Sequence, residues 1–341
     1  MKVHDCSCSA PRVKPQRGAV LVMVLLIVAV VSSLAVNFAG SFQLSLARGE
    51  NRLHGAQARA YLVGAEELAL KLLIDDRANN EVDSLDEDWA LEPAPFPVEG
   101  GWLLAKVTDA QGFFNLNSLV GSIGNDEGQS LAQRFSPEQK RFIRLLQTFE
   151  AVPLSREEAV SVTVAIVDWL DADDQTSTYD GAESSYYSSL EWPYYAANQD
   201  FSSVSELRLV RHMTPELYAV LAPLVVVLPG GTDINVNTAP LEAFRTINVA
   251  TVLEPLAVGD AQQLLESREG GAYESIQDFT DSPALVGLMP QGAQPEMQGL
   301  GISSEYFLLN ASSAIARQRR QTTSLVHRTD TETQIIRRQD G

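Results

Sequence analysis

Hydrophobic and polar positions divide the chain into an apolar segment, a mixed middle region and an alternating C-terminal region. From Ala19 to Phe42, 24 residues contain only four polar side chains, and no charged residue occurs between Ala19 and Arg48. A helix of about 20 apolar residues spans the core of a bilayer. The first segment therefore predicts a membrane-spanning helix.

The helical pattern continues beyond the apolar segment. Leu62, Ala65, Ala69 and Leu72 recur every three to four residues, which indicates a buried stripe on a helix. A single helix from 19 to 75 would be about 85 Å long at ~1.5 Å per residue. We expect its first half to lie in a membrane and its second half to pack on a globular domain.

The middle region predicts one strand followed by a helical block. The acidic, proline-rich stretch 75–97 predicts a loop, 102–108 a strand, and 113–119 a short extended piece. Ser136 and Ser155 precede helical patterns and are expected to be N-caps, the second with Glu158 in a capping box. Later helical segments are predicted at 203–210, at 214–228, after an N-cap at Thr238, and on both sides of the Gly270-Gly271 break.

The C-terminal region alternates and is rich in β-branched residues from Glu305 to Arg338, which predicts two or three antiparallel strands. Strands on both sides of a helical block indicate an α domain inserted into an α+β unit. We therefore predict an α+β fold in which a long N-terminal helix packs on an antiparallel sheet and a large all-α domain is inserted.

Charge and cysteine content limit the possible functions. The 341 residues carry a net charge of −19, and loss of residues 1–18, with four basic residues and one acidic residue, would leave −22. This acidity argues against nucleic-acid binding, which requires a basic surface. The only cysteines are Cys6 and Cys8, so a form without this leader could have no intramolecular disulfide.

A catalytic constellation is not predicted. His54, His212 and His327 do not lie in a GxSxG, HExxH or P-loop pattern, and no cysteine nucleophile remains outside the leader. A signal-anchored enzyme of an unrecognised type is therefore the weakest interpretation. We predict a protein that is not an enzyme.

An acidic loop after the second capped helix is the candidate metal site. Hard cations such as calcium bind six to eight oxygen ligands, and Gly181 permits the turn that would return Glu183 toward Asp168. The alternative is a solvated acidic loop, which charge runs often form. The candidate ligands are Asp168, Asp171, Asp173, Asp174 and Glu183, with Asn198 and Asp200 as less certain additions.

The junction Arg17-Gly18-Ala19 resembles the cleavage site of type IV prepilins, in which a basic leader ends in glycine directly before an apolar helix. This resemblance implies cleavage between Gly18 and Ala19 by prepilin peptidase and N-methylation of Ala19. Most such proteins have glutamate at the fifth mature position, where this chain has Met23. In filaments that glutamate is thought to meet the N-terminal amine of a neighbouring subunit, so its absence suggests a place at the filament tip.

The whole chain resembles the K-type minor pseudopilins of the type II secretion system. The matching pieces, in order, are RGAVLVMVL, GFFNLNSL, DWLDADD with GAESSYY, SVSELRLV with TPELYAVLAPLV, INVNTAPLEAF and EYFLL. The implied segments are a cleaved leader 1–18, a membrane and filament helix 19–42, the first part of a pilin-like domain 43–116, an inserted helical domain with SAM-like modules 117–290, and C-terminal pilin-like strands 291–341.

The resemblance implies a function and partners. The chain would cap and initiate the pseudopilus tip with I- and J-type minor pseudopilins, supporting export of folded proteins across the outer membrane. Contacts with other pseudopilins and the inner-membrane platform are also implied, and secreted substrates are a further candidate partner. The protein would be single-pass in a Gram-negative inner membrane, with its C-terminal domain in the periplasm. The alternative is a membrane-anchored, calcium-binding adaptor that recognises secreted substrates.

The same resemblance favours calcium in the acidic loop, because K-type pseudopilins bind calcium there. The candidate ligands remain those named above. The module at 234–279 resembles DNA-binding hairpins, but Arg245 and Arg268 are the only basic residues in it. A role in protein packing is therefore expected there, and nucleic acid is not an expected partner.

Overall fold

The computed structural model describes residues 17–124, 128 and 130–340, so most of the predicted leader lies outside the described residues. Helix α1 is continuous from Arg17 to Asn79, which confirms the prediction of one long helix. It is the one helix among the described residues that is long and apolar enough to cross a membrane. Its large apolar side chains from Val20 to Leu53 are exposed.

The second half of α1 packs on a sheet through small and aliphatic residues. The buried positions are Ala58, Leu62, Ala65, Ala69 and Leu73. The predicted stripe is therefore correct except at its end, where Leu72 lies half-buried at the edge and Leu73 takes the fully buried position. Three alanines in this stripe let the helix backbone approach the strands closely.

The sheet is antiparallel and has five strands in the order β1-β2-β7-β8-β9. Its strands are β1 (Phe96–Val98), β2 (Gly101–Asp109), β7 (Tyr306–Ile315), β8 (Gln318–Arg328) and β9 (Thr333–Asp340). Strands β2 and β7 are neighbours in the sheet, and Asp109 at the end of β2 pairs with Phe307 of β7. Nearly two hundred residues separate these two strands along the chain. The chain thus leaves the sheet after β2 and returns to it as β7, the strand next to β2.

The inserted region leaves the sheet at the end far from the apolar segment. Arg320 of β8 lies against Gly55 of α1, whereas Arg328, at the other end of β8, donates to Asp76. Phe307, the partner of Asp109, pairs with Val326 near this second end. The insert is therefore attached beside the C-terminal end of α1.

The insert contains eight helices and two short parallel strand pairs among the residues that the structure describes. Its helices are α2 (Pro137–Leu146), α3 (Arg156–Leu170), α4 (Ser184–Tyr187), α5 (Pro215–Leu221), α6 (Leu241–Arg245), α7 (Val258–Glu269), α8 (Ile276–Thr280) and α9 (Pro283–Leu288). The pairs are β3 (Phe114–Asn115) with β4 (Val225–Val226), and β5 (Ile234–Asn235) with β6 (Leu300–Gly301). The α+β fold is as predicted, with these pairs added to the helical insert.

Two of the three predicted N-caps are correct. The side chains of Ser136 and Ser155 each accept a hydrogen bond from the backbone N–H three residues later. In turn, the side chains of Gln139 and Glu158 accept from the backbone N–H of the serine, which completes two capping boxes. These caps satisfy N–H groups that have no partner inside the helix. The start of α3 is therefore set locally, twelve positions before the first candidate metal ligand, Asp168.

Several local predictions were wrong where distant partners override local preference. Phe96 begins a strand inside the predicted loop, and the segment 116–119, predicted as extended, is a 3₁₀ helix. The segment 204–209 is helical as predicted, in the 3₁₀ form. Val225 and Val226 form β4 instead of extending a helix, because they pair with β3. Thr238 is not an N-cap: helix α6 begins after Pro240, and the Thr238 hydroxyl donates to Asp109.

Candidate metal centre

The end of α3 positions the first two carboxylates. Asp168 lies in the last turn of α3 and is fully buried, and Asp171 follows directly after Leu170 with an extended backbone. Residues at i and i+3 lie on one face of a helix, so both side chains point into the same loop. The Ser177 backbone N–H donates to Asp168 Oδ1 at 3.0 Å, which leaves Oδ2 free.

The loop returns through Gly181 and brings Glu183 to the same place. One carboxylate oxygen from each of Asp168, Asp171 and Glu183 lies within 4.8 Å of the other two. A Cβ at Gly181 would lie 2.0 Å from Asp168 Oδ2, so a larger residue cannot occupy this turn without displacing the carboxylate. The absence of a side chain at position 181 is therefore required by the cluster.

Four carboxylate oxygens of the cluster are buried and have no hydrogen-bond partner among the described residues. They are Asp168 Oδ2, Asp171 Oδ1, Glu183 Oε1 and Glu183 Oε2. Buried polar atoms are nearly always paired in folded proteins. An oxygen-only set of this kind fits a hard cation, with carbonyl groups or water completing six to eight ligands.

The electrostatics of the cluster are unfavourable without a cation. Burial, together with the neighbouring carboxylates, raises the pKa of Glu183 to about 8. Burial and the charges of Asp173 and Asp168 raise the pKa of Asp171 to about 6. Burial also raises the pKa of Asp168. A bound divalent cation would reverse these directions by favouring the charged forms.

The other predicted ligands have different environments. Asp173 Oδ1 accepts from Gln175 N and Asp174 Oδ1 accepts from Ser184 N, so both exposed side chains shape the loop. Asn198 has a left-handed backbone with φ of 46°, and its buried Oδ1 has no partner among the described residues. Asp200 is exposed. The structure thus brings together three of the candidates, and Asp173, Asp174 and Asp200 are not part of that close group.

Sequence reasoning missed the support beneath the loop. Arg211 Nη1 donates to the Gly181 carbonyl at 3.0 Å, and its guanidinium lies over the Tyr186 ring. Tyr187 is buried and packs edge-on against Trp169. No signal in the sequence linked Arg211 to this loop, because thirty residues separate it from Gly181.

A second acidic group provides a contrast. Asp76, Asp83 and Glu87 also have oxygens within 4.8 Å of one another. Here, however, Arg328 donates to both Asp76 and Asp83, and the Trp89 indole donates to Glu87. Protein donors occupy these carboxylates, so this group is an internal ion-pair network rather than a cation site.

The predicted processing site lies at the start of α1. Gly18 and Ala19 are exposed in its first turn, and the Met23 side chain is 63% exposed. This stretch of α1 therefore has no protein contact within the described chain.

Comparisons with known proteins agree along nearly the whole chain. Family models described as "Type II secretion system (T2SS), protein K" match residues 112–230 and 234–303. The chain is 35% identical over 336 residues to the type II secretion system protein K of Aeromonas hydrophila, covering 97% of this chain and 99% of the relative. It is 33% identical over 329 residues to the Klebsiella pneumoniae protein of the same name, covering 96% and 97%.

A solved structure has the same architecture. The chain is similar to one in the crystal structure of the GspK-GspI-GspJ complex from the type 2 secretion system of enterotoxigenic Escherichia coli. The TM-score is 0.69 at 26% sequence identity, and the match covers 86% of this chain and 99% of that chain.

Proposed function

Because the chain belongs to the type II secretion system protein K family, we propose that it is a minor pseudopilin that caps and initiates the pseudopilus tip. In this role it supports export of folded proteins across the outer membrane. The observation that carries the proposal is that the exposed apolar half of α1 and the large insert lie at opposite ends of the sheet.

This placement fits a terminal subunit. A filament grows by lateral packing of apolar helices, and small residues such as Ala29, Ser33 and Gly40 allow close helix approach. The insert beyond the sheet leaves little room for another subunit stacked above it. The exposed Met23 side chain cannot make the ionic contact that a glutamate there would offer to a subunit above.

Processing and location are part of the same proposal. Prepilin peptidase would cleave between Gly18 and Ala19 and methylate the Ala19 amine. The mature protein would cross the inner membrane once through α1 and place its C-terminal domain in the periplasm. The one long apolar helix found among the described residues, which lies near the N-terminus, supports this location.

The proposed partners are I- and J-type minor pseudopilins, which the composition of the similar solved complex supports. Leu53 is 66% exposed on α1, and the only native cysteines lie in the leader. A Leu53→Cys variant therefore allows crosslinking from one defined position in mature protein. We expect crosslinks to the I- and J-type subunits. Crosslinks only to secreted cargo would contradict the tip role and favour a substrate adaptor.

We also propose that Asp168, Asp171 and Glu183 bind calcium, assisted by the oxygens of Asp173, Asp174, Asn198 or Asp200. The supporting observation is the set of buried carboxylate oxygens without partners. A cation that binds only the folded state stabilises it by about 2.7 kcal/mol at a hundredfold excess over its Kd. The ion would therefore lock the loop between α3 and α4 in the folded insert.

Thermal unfolding of the full chain in detergent tests the site. We expect calcium to raise the Tm by several degrees and EDTA to reverse the change. Glu183→Gln should lose the calcium response, whereas Glu191→Gln, an exposed acid in the same region, should keep it. An unchanged Tm of the parent protein in both solutions, with no metal detected by mass spectrometry, would reject calcium binding.

A further inference from the structure

Five exposed arginines lie at the end of the sheet nearest the apolar segment. Two lie on α1 and three in the turn between β7 and β8 and the start of β8. They are Arg48, Arg52, Arg317, Arg319 and Arg320. We call this group the arginine collar. It stands out because the chain as a whole is strongly acidic, at −19.

Contacts between α1 and the β7–β8 turn bring the two groups together. Gln318 Nε2 donates to Asn51 Oδ1 at 3.2 Å. Arg320 Nη2 lies 3.6 Å from the position that a Cβ would take at Gly55. Positions 48, 52 and 55 share one helix face. The two arginines of α1 therefore lie on the face that meets the turn.

The guanidinium groups of the collar have no partner within the described chain. No hydrogen bond, ion pair or ring contact is found for any of the five among the described residues. Every other arginine from Arg59 to Arg338 has such a contact; Arg59, for example, pairs with Asp340. Glu50 is the acidic residue closest in sequence, and it does not pair with the collar. These charges therefore repel one another without internal compensation, which indicates an external anionic ligand.

The position of the collar identifies that ligand. Arg48 follows Phe42, the end of the apolar segment, by six residues, or about 9 Å of helix. The headgroup layer on each side of a bilayer is about 5–7 Å thick, and arginine side chains extend toward it by snorkelling. Guanidinium groups bind phosphate in a bidentate manner. Arg48 is thus held beside the lipid phosphates, whereas Arg320, which lies against Gly55, is about 20 Å past Phe42. Tilting of α1 toward the β7–β8 turn brings the other arginines of the collar toward the same layer.

We propose that the arginine collar binds the phosphate groups of anionic phospholipids in the leaflet that faces the globular domain. The proposal goes beyond the tip function but rests on α1 being the membrane anchor. Binding at both α1 and the β7–β8 turn fixes the tilt of the sheet relative to the membrane. Lipid binding also explains why arginines follow the membrane helix on the side of the globular domain, although positively charged residues are usually enriched on the cytoplasmic side.

The test uses the full chain reconstituted in nanodiscs of equal phosphatidylcholine and phosphatidylglycerol. Lipids that stay bound after detergent extraction are counted by native mass spectrometry. Each juxtamembrane arginine favours anionic lipid by about fivefold. We expect bound phosphatidylglycerol to exceed phosphatidylcholine at least about fivefold for the parent protein. The ratio should fall severalfold for Arg317→Gln/Arg319→Gln/Arg320→Gln, which retains Arg48 and Arg52, and high salt should lower it for the parent protein.

The matched control is Lys71→Gln/Lys106→Gln/Arg156→Gln, which removes the same charge from exposed positions outside the collar. It should keep the parent ratio, and all variants should keep the parent Tm. An equal ratio for the two lipids in the parent protein, or an equal loss in both triple variants, overturns the proposal. Loss of partner-subunit binding with an unchanged lipid ratio also overturns it and identifies the collar as a protein contact. Failure of every variant to enter nanodiscs would contradict the membrane anchor itself.

Discussion

At the scale of single residues, Gly181 decides whether the carboxylate cluster can form. A methyl group there would approach Asp168 Oδ2 to 2.0 Å, and the fully buried Asp168 has little room to move. We expect Gly181→Ala to lower the Tm of the metal-free protein and to abolish the calcium-dependent increase. Thermal unfolding with calcium and with EDTA measures both effects.

Gly259 provides the control for this prediction. It lies in the first turn of α7, where an added Cβ meets nothing within 4 Å. Gly259→Ala should leave the calcium response unchanged and stabilise the helix slightly, because alanine is favoured over glycine in helices by about 1 kcal/mol. A full calcium response in Gly181→Ala would mean that the ion, if bound, does not depend on the position of Asp168.

The acidic residues show how far sequence spacing can predict a site. The i and i+3 spacing of Asp168 and Asp171, with a glycine before Glu183, was enough to predict their meeting. Spacing could not separate these three from Asp173 and Asp174, because all five lie in one acidic run. The difference depends on burial and on which backbone N–H groups the loop directs at each carboxylate, and these are properties of the folded loop.

At the scale of secondary-structure elements, Asp109 at the end of β2 ties the sheet to the insert. Its buried Oδ2 accepts from Thr238 Oγ1 at 2.6 Å, Ser304 Oγ at 2.7 Å and Asn235 Nδ2 at 3.0 Å. Its Oδ1 accepts from Gln111 N at 2.7 Å. One carboxylate thus satisfies donors from the turn after β2, the turn before β7 and the insert.

Asp109→Asn should destabilise the protein by about 1–3 kcal/mol, because an amide N–H₂ replaces an acceptor and leaves a buried donor without a partner. Chemical denaturation measures this loss. Burial raises the pKa of Asp109 to about 6 from 3.8, so its protonated form is favoured on folding. Its contribution to stability is present at low pH and is lost as pH rises through about 4 to 6. The variant should lack this part of the pH dependence.

Asp86→Asn, at an exposed position, is the control and should change neither stability nor its pH dependence. A stability loss in Asp109→Asn below about 0.5 kcal/mol, with the parent pH profile retained, would show that the insert is held by packing alone. The same contacts explain why Thr238 was assigned wrongly from sequence. Thr238 shortly precedes Pro240 and Leu241, a pattern typical of an N-cap. In the folded protein its hydroxyl donates instead to Asp109, which is 129 positions away.

At the scale of the whole molecule, the layout was predictable because strands flank a helical block. Local periodicity also predicted α1, whose continuity depends on its own i to i−4 bonds. The end of the sheet from which the insert leaves could not be predicted, since it depends on the register that pairs Asp109 with Phe307. The arginine collar was equally hidden, because its two halves lie more than 260 positions apart and meet only through the contact of Asn51 with Gln318.

The substitution Met23→Glu tests whether the missing carboxylate in the N-terminal part of α1 specifies a place at the pseudopilus tip. Met23 is exposed, so a glutamate there meets lipid unless a neighbouring subunit provides a positive group. A carboxylate in a membrane helix is costly and requires a partner. The N-terminal amine of a subunit above would supply it. We expect the variant to enter positions below other subunits, so that its amount relative to the J-type subunit in purified assemblies rises above the parent ratio and secretion falls.

Met23→Leu is the matched control, since it keeps an apolar side chain of similar volume and should preserve both the ratio and secretion. Quantitative mass spectrometry of the assemblies and assay of an exported enzyme in the medium provide the two measurements. If Met23→Glu leaves both unchanged, the missing carboxylate does not determine position. The proposed terminal role would then have to depend on the insert at the far end of the sheet.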